Sequence, residues 1–318
     1  MRKVGIGVVG LGRFGINYVK TIESMSLFSL RGVCAQSQAS IKNALQFVGD
    51  KKIIASVKFD DLLKSPSIEA VCIVTPAHTH FSLAMKALFA GKHVLIEKPI
   101  CFKAKELEDL IKITKQKRKI LLAGHLHLFN PPLMQLVADV KKGMFGRVNM
   151  VRIEHANNGP IRKDVSIIWD YFPHAASLLS ALIKENPKKI IAVGNRDAVS
   201  LEIEYLGKAF STSFASWKSP KKVFSVMVIG EKMAASYDDY VQADKLKYYS
   251  KSKGKDTFVY NSSFYVPAYS DIRPLTRQLV YFRECIVEGK LPEENLKNAL
   301  AATRILERAQ KSFNGVSA

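Results

Sequence analysis

Lys98 and its two neighbours form the first group of side chains in this sequence that could carry out chemistry. A largely apolar run, residues 91–96, ends in Glu97, Lys98 and Pro99, as in a buried parallel strand that carries polar groups to a sheet edge. Because proline restricts the residue before it to extended backbone, the Lys98 side chain has a defined direction. The pattern predicts a lysine that acts on a ligand. The alternative is an exposed Glu–Lys ion pair.

A second group of reactive side chains lies near residue 170. Asp170 and His174 are four residues apart with Pro173 between them, and proline is tolerated only in the first turn of a helix. Both side chains are therefore expected near the start of that helix. Histidine exchanges protons near neutral pH, and a nearby carboxylate fixes its tautomer and supports its charged form. Ordinary packing is the alternative interpretation of this pair.

The first element that could position a ligand is a glycine-rich turn. A β-rich run, residues 4–9, leads into Gly10-Leu11-Gly12-Arg13-Phe14-Gly15 and then into helical apolar spacing. Gly10 permits the tight turn, Gly12 lets backbone N–H groups approach a pyrophosphate, and Gly15 lets the helix pack on the strand. We predict that Gly10, Gly12, Arg13, Phe14 and Gly15 bind a dinucleotide, with a purely structural turn as the alternative.

The tip of the second predicted strand bears on the choice of cofactor. A dinucleotide-binding unit usually has an acid there, about 20 residues after the glycine turn, to bind the ribose 2′-hydroxyl. This sequence has Ala35, Gln36 and Ser37 instead. No acid would repel a 2′-phosphate, Gln36 and Ser37 could donate hydrogen bonds to it, and Arg13 could add charge. NADP is therefore favoured over NAD, in which Gln36 would hold the 2′-hydroxyl.

Another strand end is predicted to lie beside the nicotinamide half of the cofactor. The run 70–74 stops at Thr75 and Pro76, and His80 follows before a helix. Carboxyl ends of parallel strands form the ligand edge of such a sheet, so we expect Thr75, Pro76, His80 and Glu97 to contact the cofactor together with Lys98. For His80, a structural role in the first turn of the helix stays open.

The order of the elements predicts an α/β protein of two domains. Strands and helices alternate up to residue 123, as in a Rossmann doubly wound parallel sheet. After residue 124 the rhythm changes. A strand is predicted over residues 148–153 and an irregular loop over 156–166, and residues 189–249 contain consecutive strands without helices between them. That order predicts an α+β domain with a largely antiparallel open sheet. The predicted domains are therefore 1–123, for NAD(P), and 124–318, for substrate binding and oligomerisation.

Composition argues against several classes of protein. The 318 residues include 48 Lys and Arg against 28 Asp and Glu, a formal net charge of +20. The basic residues are scattered and form no nucleic-acid motif or long basic amphipathic helix, so we expect neither nucleic acid nor a membrane as partner. We find no signal peptide, no apolar run of transmembrane length and no metal-ligand pattern, and we predict a cytoplasmic protein. No crossover helices cover one face of the predicted C-terminal sheet, so we predict that the protein forms a homodimer or homotetramer through that sheet.

Taken together, these motifs resemble those of the Gfo/Idh/MocA family, named after glucose-fructose oxidoreductase and inositol dehydrogenase. The resemblance covers nearly the whole chain and rests on the glycine turn, Thr75-Pro76 with His80, residues 90–94 leading to Glu97-Lys98-Pro99, and Asp170 with His174.

The resemblance implies hydride transfer between a nicotinamide cofactor and a hydroxyl or keto carbon of a sugar, nucleotide sugar or cyclitol. It also implies catalytic roles: Lys98 near the reacting oxygen, His174 as general acid and base, and Asp170 orienting His174 or contacting substrate. Ala35 departs from the acid of many NAD-using relatives. The alternative function is an inactive nucleotide or sugar sensor, or a scaffold, on the same fold.

Overall fold

The computed structural model describes residues 2–50, 52–251 and 260–313. Met1, Lys51, 252–259 and 314–318, which the two predicted domains include, lie outside the described residues. Clustering of contacts divides the chain into two compact units. The first contains Met1–Leu126 with Pro274–Leu300, and the second contains His127–Arg273 with Ala301–Ala318. The predicted division after residue 123 is a single cut along the chain, and it stays a prediction.

The first unit is built on a six-stranded parallel sheet with strand order β3-β2-β1-β4-β5-β6. Its strands are β1 Val4–Val9, β2 Phe28–Cys34, β3 Ile54–Ser56, β4 Ala70–Ile73, β5 His93–Glu97 and β6 Leu121–Gly124. The helices between them are α1 Arg13–Glu23, α2 Gln38–Leu45, α3 Phe59–Lys64, α4 His80–Phe89 and α5 Ala104–Lys117. Strands β1 and β4 are buried at every position, as expected for a sheet covered on both faces.

The second unit is built on an eight-stranded sheet with strand order β14-β13-β12-β11-β7-β10-β9-β8. Its strands are β7 Val148–Asn158, β8 Pro187–Gly194, β9 Ala198–Tyr205, β10 Phe210–Ser216, β11 Lys218–Gly230, β12 Met233–Asp238, β13 Leu246–Lys251 and β14 Tyr260–Tyr265. Neighbouring strands are antiparallel except β7 and β10, which are parallel.

The remaining helices are α6 Pro131–Lys141, α7 Ile167–Asp170, α8 Phe172–Leu182, α9 Pro274–Glu288 and α10 Glu293–Ser312. Together, the parallel sheet and the mixed, mostly antiparallel sheet confirm the predicted fold class.

Strand β7 is longer than the sequence pattern predicted. An irregular loop was expected from residue 156, but the strand continues to Asn158, because Lys218 of the long strand β11 pairs with it. The short strand β14, which pairs with β13, was not predicted either. The extension of β7 depends on pairing with a strand far away in sequence, which a local apolar pattern does not indicate.

The described residues show neither a membrane-spanning helix nor a metal-binding cluster. Within them, we find no helix with the length and apolarity that a membrane crossing requires. Over the same residues, His, Cys, Asp and Glu side chains form no group that could hold a metal ion.

Candidate functional site

The glycine turn has the shape that a pyrophosphate needs. Gly10 has φ +93°, and a Cβ there would lie 2.5 Å from the Val74 carbonyl oxygen. A Cβ on Gly15 would lie 1.9 Å from the Gly10 oxygen, whereas a Cβ on Gly12 would meet no atom within 4 Å. Gly12 is also the N-cap of α1, and no side chain caps that end. The open face at Gly12 and the uncapped helix N-terminus together fit a dinucleotide phosphate.

The predicted contacts for the adenosine half lie around this turn. Arg13 and Phe14 open α1 and are exposed, and Phe14 packs edge-on against Tyr18 at 5.7 Å between ring centroids. Gln36 and Ser37 are also exposed and lie just after the end of β2. Ser37 is the N-cap of α2, and its hydroxyl accepts a hydrogen bond from the Ser40 N–H at 3.5 Å. Ser37 can still donate its own proton, so both residues fit a ribose or a 2′-phosphate.

His80 joins two strand ends through its ring. Its Nδ1 lies 2.8 Å from the Pro99 carbonyl oxygen and its Nε2 lies 2.8 Å from the Thr75 carbonyl oxygen. Only a ring protonated on both nitrogens donates to both acceptors. The side chain is buried, so any part that His80 takes in cofactor binding acts through the backbone at Thr75 and Pro99. Thr75 also exchanges a 2.6 Å hydrogen bond with the Thr79 hydroxyl.

Glu97 ends β5 inside a buried hydrogen-bond network. The Tyr18 hydroxyl donates to its Oε1 at 2.5 Å, the Lys98 N–H donates to its Oε2 at 3.2 Å, and Gln278 Nε2 donates to the Tyr18 oxygen at 2.7 Å. Burial raises the pKa of Glu97 to about 7. The hydrogen bonds from Tyr18 and from the Lys98 N–H, and the Lys98 charge, each lower this pKa by less than burial raises it. The backbone N–H of Lys98 is thus bound by a carboxyl group whose pKa is near neutral pH.

We expect the Glu97→Gln variant to lose a pH dependence of stability that the wild-type chain has. The folded chain keeps the Glu97 proton up to a pKa of about 7, whereas the ordinary value is 4.5. Stability from this group is therefore full below pH 4.5 and falls as pH rises through 7. Between pH 5 and pH 8 the wild-type free energy of unfolding should fall by about 3 kcal/mol relative to the variant.

Urea unfolding of both proteins at the two pH values measures this difference. The comparison uses the change in the free energy of unfolding between the two pH values. Any cost of placing the new amide beside the Lys98 N–H is the same at both pH values and cancels. Parallel curves would show that Glu97 is ionised throughout this range.

His125 is a neighbour of Lys98 that the sequence analysis missed. Glu97, the last residue of β5, pairs in register with Gly124, the last residue of β6. Lys98 and His125 are therefore the first residues after two adjacent parallel strands. Burial, and the Lys98 charge in second place, lower the pKa of His125 to about 4. The signal that could have found it is its position one residue past a buried strand, which is also the position of Lys98.

Asp170 lies in the second unit and is held by two other side chains. Trp217 Nε1 donates to its Oδ2 at 3.1 Å, and Arg162 Nη1 lies 3.7 Å from its Oδ1. Asp170 is buried at the end of α7, and α8 begins two residues later with Pro173 in its first turn. This confirms the expected position of Pro173. The sequence did not indicate the roles of Trp217 and Arg162, because the partners lie on other elements.

His174 belongs to a cluster of three imidazoles, His127, His155 and His174, which we call the imidazole cluster. The His127 and His174 ring centroids are 4.2 Å apart, and His155 lies 5.6 Å from His174. His127 stacks on Phe224 at 3.9 Å, and His155 stacks on Tyr171 at 4.0 Å. The three histidines are half-buried. Stacking fixes the ring planes around His174, so its imidazole has a defined orientation for proton exchange.

Comparisons with known proteins found similarity to one family model and to several characterised enzymes. Residues 4–125 match the model of the family described as an oxidoreductase family with an NAD-binding Rossmann fold. UDP-N-acetylglucosamine 3-dehydrogenase of Acidithiobacillus ferrooxidans is 30% identical over 189 residues, which are 59% of this chain and 57% of that protein. Myo-inositol 2-dehydrogenase of Thermotoga maritima is 25% identical over 209 residues, 64% of this chain and 61% of that protein. The matched region thus spans less than two thirds of either relative.

Solved structures resemble this chain over almost its whole length. The structure of the same Acidithiobacillus ferrooxidans enzyme has a TM-score of 0.84 at 20% identity and covers 98% of both chains. Levoglucosan dehydrogenase in complex with NADH has a TM-score of 0.83 at 16% identity, over 98% of this chain and 97% of that one. At these identities the likeness establishes the fold. The family match covers residues 4–125, the part of the chain that contains the parallel sheet, and shows that this part is similar to the NAD-binding Rossmann fold of the Gfo/Idh/MocA oxidoreductase family.

Proposed function

We propose that this protein is an NAD(P)-dependent oxidoreductase that transfers hydride to or from a hydroxyl or keto carbon of a sugar, nucleotide sugar or cyclitol. The observation that carries the proposal is the ligand edge of the parallel sheet. There an open glycine turn at Gly12 and a half-buried lysine, Lys98, follow strands β1 and β5 of one sheet. The named relatives act on a nucleotide sugar and on an inositol, which supports this substrate class.

The proposed roles follow from the charge changes of such a reaction. When bound, the nicotinamide accepts a hydride from the substrate carbon or donates one to it. Oxidation of the hydroxyl also releases a proton, and His174 takes it as general base and returns it in the reverse direction. The Lys98 ammonium stabilises negative charge on the reacting oxygen. Asp170, anchored by Trp217 and Arg162, fixes the start of α8 and with it the position of His174.

The cofactor preference that we propose is NADP. No carboxylate follows β2 at residues 35–37, and Gln36 and Ser37 are exposed and able to donate hydrogen bonds. An acid at this place would repel a 2′-phosphate, and Arg13, the first residue of α1, adds positive charge at the glycine turn. NAD remains the alternative cofactor, with Gln36 on the 2′-hydroxyl.

A cofactor-coupled substrate screen tests this function. The purified protein is mixed with NADP or NAD and a panel of inositols, hexoses and UDP-sugars, and absorbance at the reduced-nicotinamide band is followed. We expect reduction with at least one panel member. Tight cofactor binding with no redox change across the panel, in either direction, would favour the sensor or scaffold instead.

Two glycine variants give the screen a matched control. We expect Gly12→Ala to fold normally and to weaken cofactor binding by about tenfold or more, because its methyl group enters the open face where the pyrophosphate would lie. Gly15→Ala should instead destabilise the domain, because its Cβ would clash with the Gly10 oxygen. Circular dichroism and cofactor titration separate the two effects. A Gly12→Ala variant that binds cofactor as tightly as the wild-type chain would contradict the proposed pyrophosphate position.

We also propose that the protein assembles as a homodimer or homotetramer through the sheet of the second unit. Phe214 of β10 and Met227 of β11, the two strands that flank β7, are 38% and 43% exposed, and a partner chain on this sheet would cover such apolar side chains. Light scattering should give twice or four times the mass of the chain. A monomer at micromolar concentration would count against assembly. The cytoplasmic location stays a prediction.

A further inference from the structure

His125 occupies a position at the ligand edge that the proposed mechanism does not use. Strands β5 and β6 are parallel neighbours, and the pairing of Glu97 with Gly124 makes Lys98 and His125 the first residues beyond each strand. Ligands of open parallel sheets bind outside these carboxyl ends. The main chain also holds His125 close to the edge, because its N–H donates to the Ala123 carbonyl oxygen at 2.9 Å.

The His125 imidazole is buried without the hydrogen bonds that burial normally requires. The residue is 2% exposed, and neither ring nitrogen has a hydrogen-bond partner among the residues that the structure describes. Leaving a buried donor or acceptor unpaired costs about 1–3 kcal/mol per group. Proteins tolerate such a cost at positions where a ligand completes the hydrogen bonds. The ring therefore lacks a partner at the same edge where the cofactor is expected.

The ring is also electrically neutral at physiological pH. Burial and the Lys98 charge lower the pKa of His125 to about 4, so the imidazole carries one N–H donor and one lone pair. An oxidised nicotinamide ring is positively charged, and the Lys98 ammonium already lies at this edge. A third positive charge would be repelled, whereas a neutral imidazole is compatible with both the oxidised and the reduced cofactor.

We propose that His125 is a cofactor-binding residue that hydrogen-bonds the carboxamide group of the nicotinamide. A carboxamide offers both a donor and an acceptor, so it can pair with the neutral imidazole in either tautomer. Because both ring nitrogens are covered, the carboxamide must replace protein atoms beside the ring, and binding is accompanied by a local rearrangement. The inference rests on the proposed function and adds to it a contact at the nicotinamide end.

Two ligands that differ at the nicotinamide end test this contact. NADH carries the carboxamide, whereas ADP-ribose has the same diphosphate and both riboses but no nicotinamide. His125→Phe keeps an aromatic ring and removes both nitrogens. We expect its dissociation constant for NADH to rise about tenfold, as for the loss of one buried hydrogen bond, while that for ADP-ribose changes less than about twofold. The cofactor-free variant should melt about 3 °C higher, because two unpaired polar atoms are gone.

A second variant keeps the test decisive if the phenylalanine variant does not fold. His125→Gln retains one donor and one acceptor, so the ratio of its two dissociation constants should stay within about threefold of the wild-type ratio. An unchanged NADH affinity in His125→Phe, an equal loss for NADH and ADP-ribose, or a tenfold change of ratio in His125→Gln would each overturn the proposal. A wild-type chain that binds neither NADH nor NADPH would overturn the proposed function as well.

Discussion

Replacing Lys98 with methionine should lower turnover by about 10³-fold. Methionine has a similar length and apolar stem but no charge and no donor, so it cannot stabilise the reacting oxygen. The backbone N–H of residue 98, which donates to Glu97 Oε2, is kept, and the end of β5 should stay in place. The measurement is kcat and KM on a substrate identified by the screen, together with the melting temperature.

A lysine at the other end of β5 provides a matched control for this substitution. Lys92 precedes β5, is buried, and its Nζ donates to the carbonyl oxygens of Ser65 and Ile68 at 2.8 Å each. Lys92→Met removes both hydrogen bonds and should lower stability by about 2 kcal/mol with little effect on turnover. Lys98→Met should do the reverse. A Lys98→Met variant that keeps turnover within about threefold of the wild-type value would contradict the proposed role of the ammonium.

The pKa of His125 shows whether Lys98→Met has removed the charge from a site that is still folded. That charge contributes to the lowered pKa of His125, so the pKa of His125 should rise in Lys98→Met. Burial is the larger cause and is unchanged, and the rise should therefore be partial. Titration of the His125 ring by NMR measures it, and an unchanged pKa would show that the two side chains are not close enough to interact.

The first unit could be predicted well from the sequence, because its ligand edge is encoded locally. A glycine turn, a strand end followed by proline and a βα alternation each depend on a few consecutive residues, and parallel crossovers then bring the strand ends to one edge. Lys98 and Gly12 could therefore be placed without coordinates. Glu97 was expected to contact the cofactor, and nothing in the sequence indicated its hydrogen-bond partner Tyr18, which lies 79 residues away and is itself bonded by Gln278.

The second unit shows what a linear pattern leaves out. His127, His155 and His174 come from a segment before α6, from β7 and from α8, and no spacing rule links them. Their proximity depends on how helices pack on a sheet with strand order set by distant pairing. The same reason explains why Trp217, the donor to Asp170, could not be identified. His125 is different, since the strand-end rule that indicated Lys98 applies to it equally.

Replacing His174 with alanine should lower kcat/KM by about 10³-fold, because the proton released by the substrate hydroxyl then has no positioned acceptor. Truncation leaves an imidazole-sized space beside His127, whose ring centroid lies 4.2 Å from that of His174. Added imidazole should enter that space and restore part of the activity, with a rate that rises with the concentration of its neutral form. A purely structural histidine would give no such dependence.

The pH profile of the two proteins provides the second half of this test. In the wild-type chain, the acid limb of kcat/KM should report a group with the pKa of a histidine, and this limb should disappear in His174→Ala. With imidazole present, the limb should return at the pKa of free imidazole. Circular dichroism and cofactor titration must show a folded variant with wild-type affinity. An acid limb that is the same in both proteins would assign the proton transfer to another residue. His127, whose ring is next to that of His174, would then be the first residue to substitute.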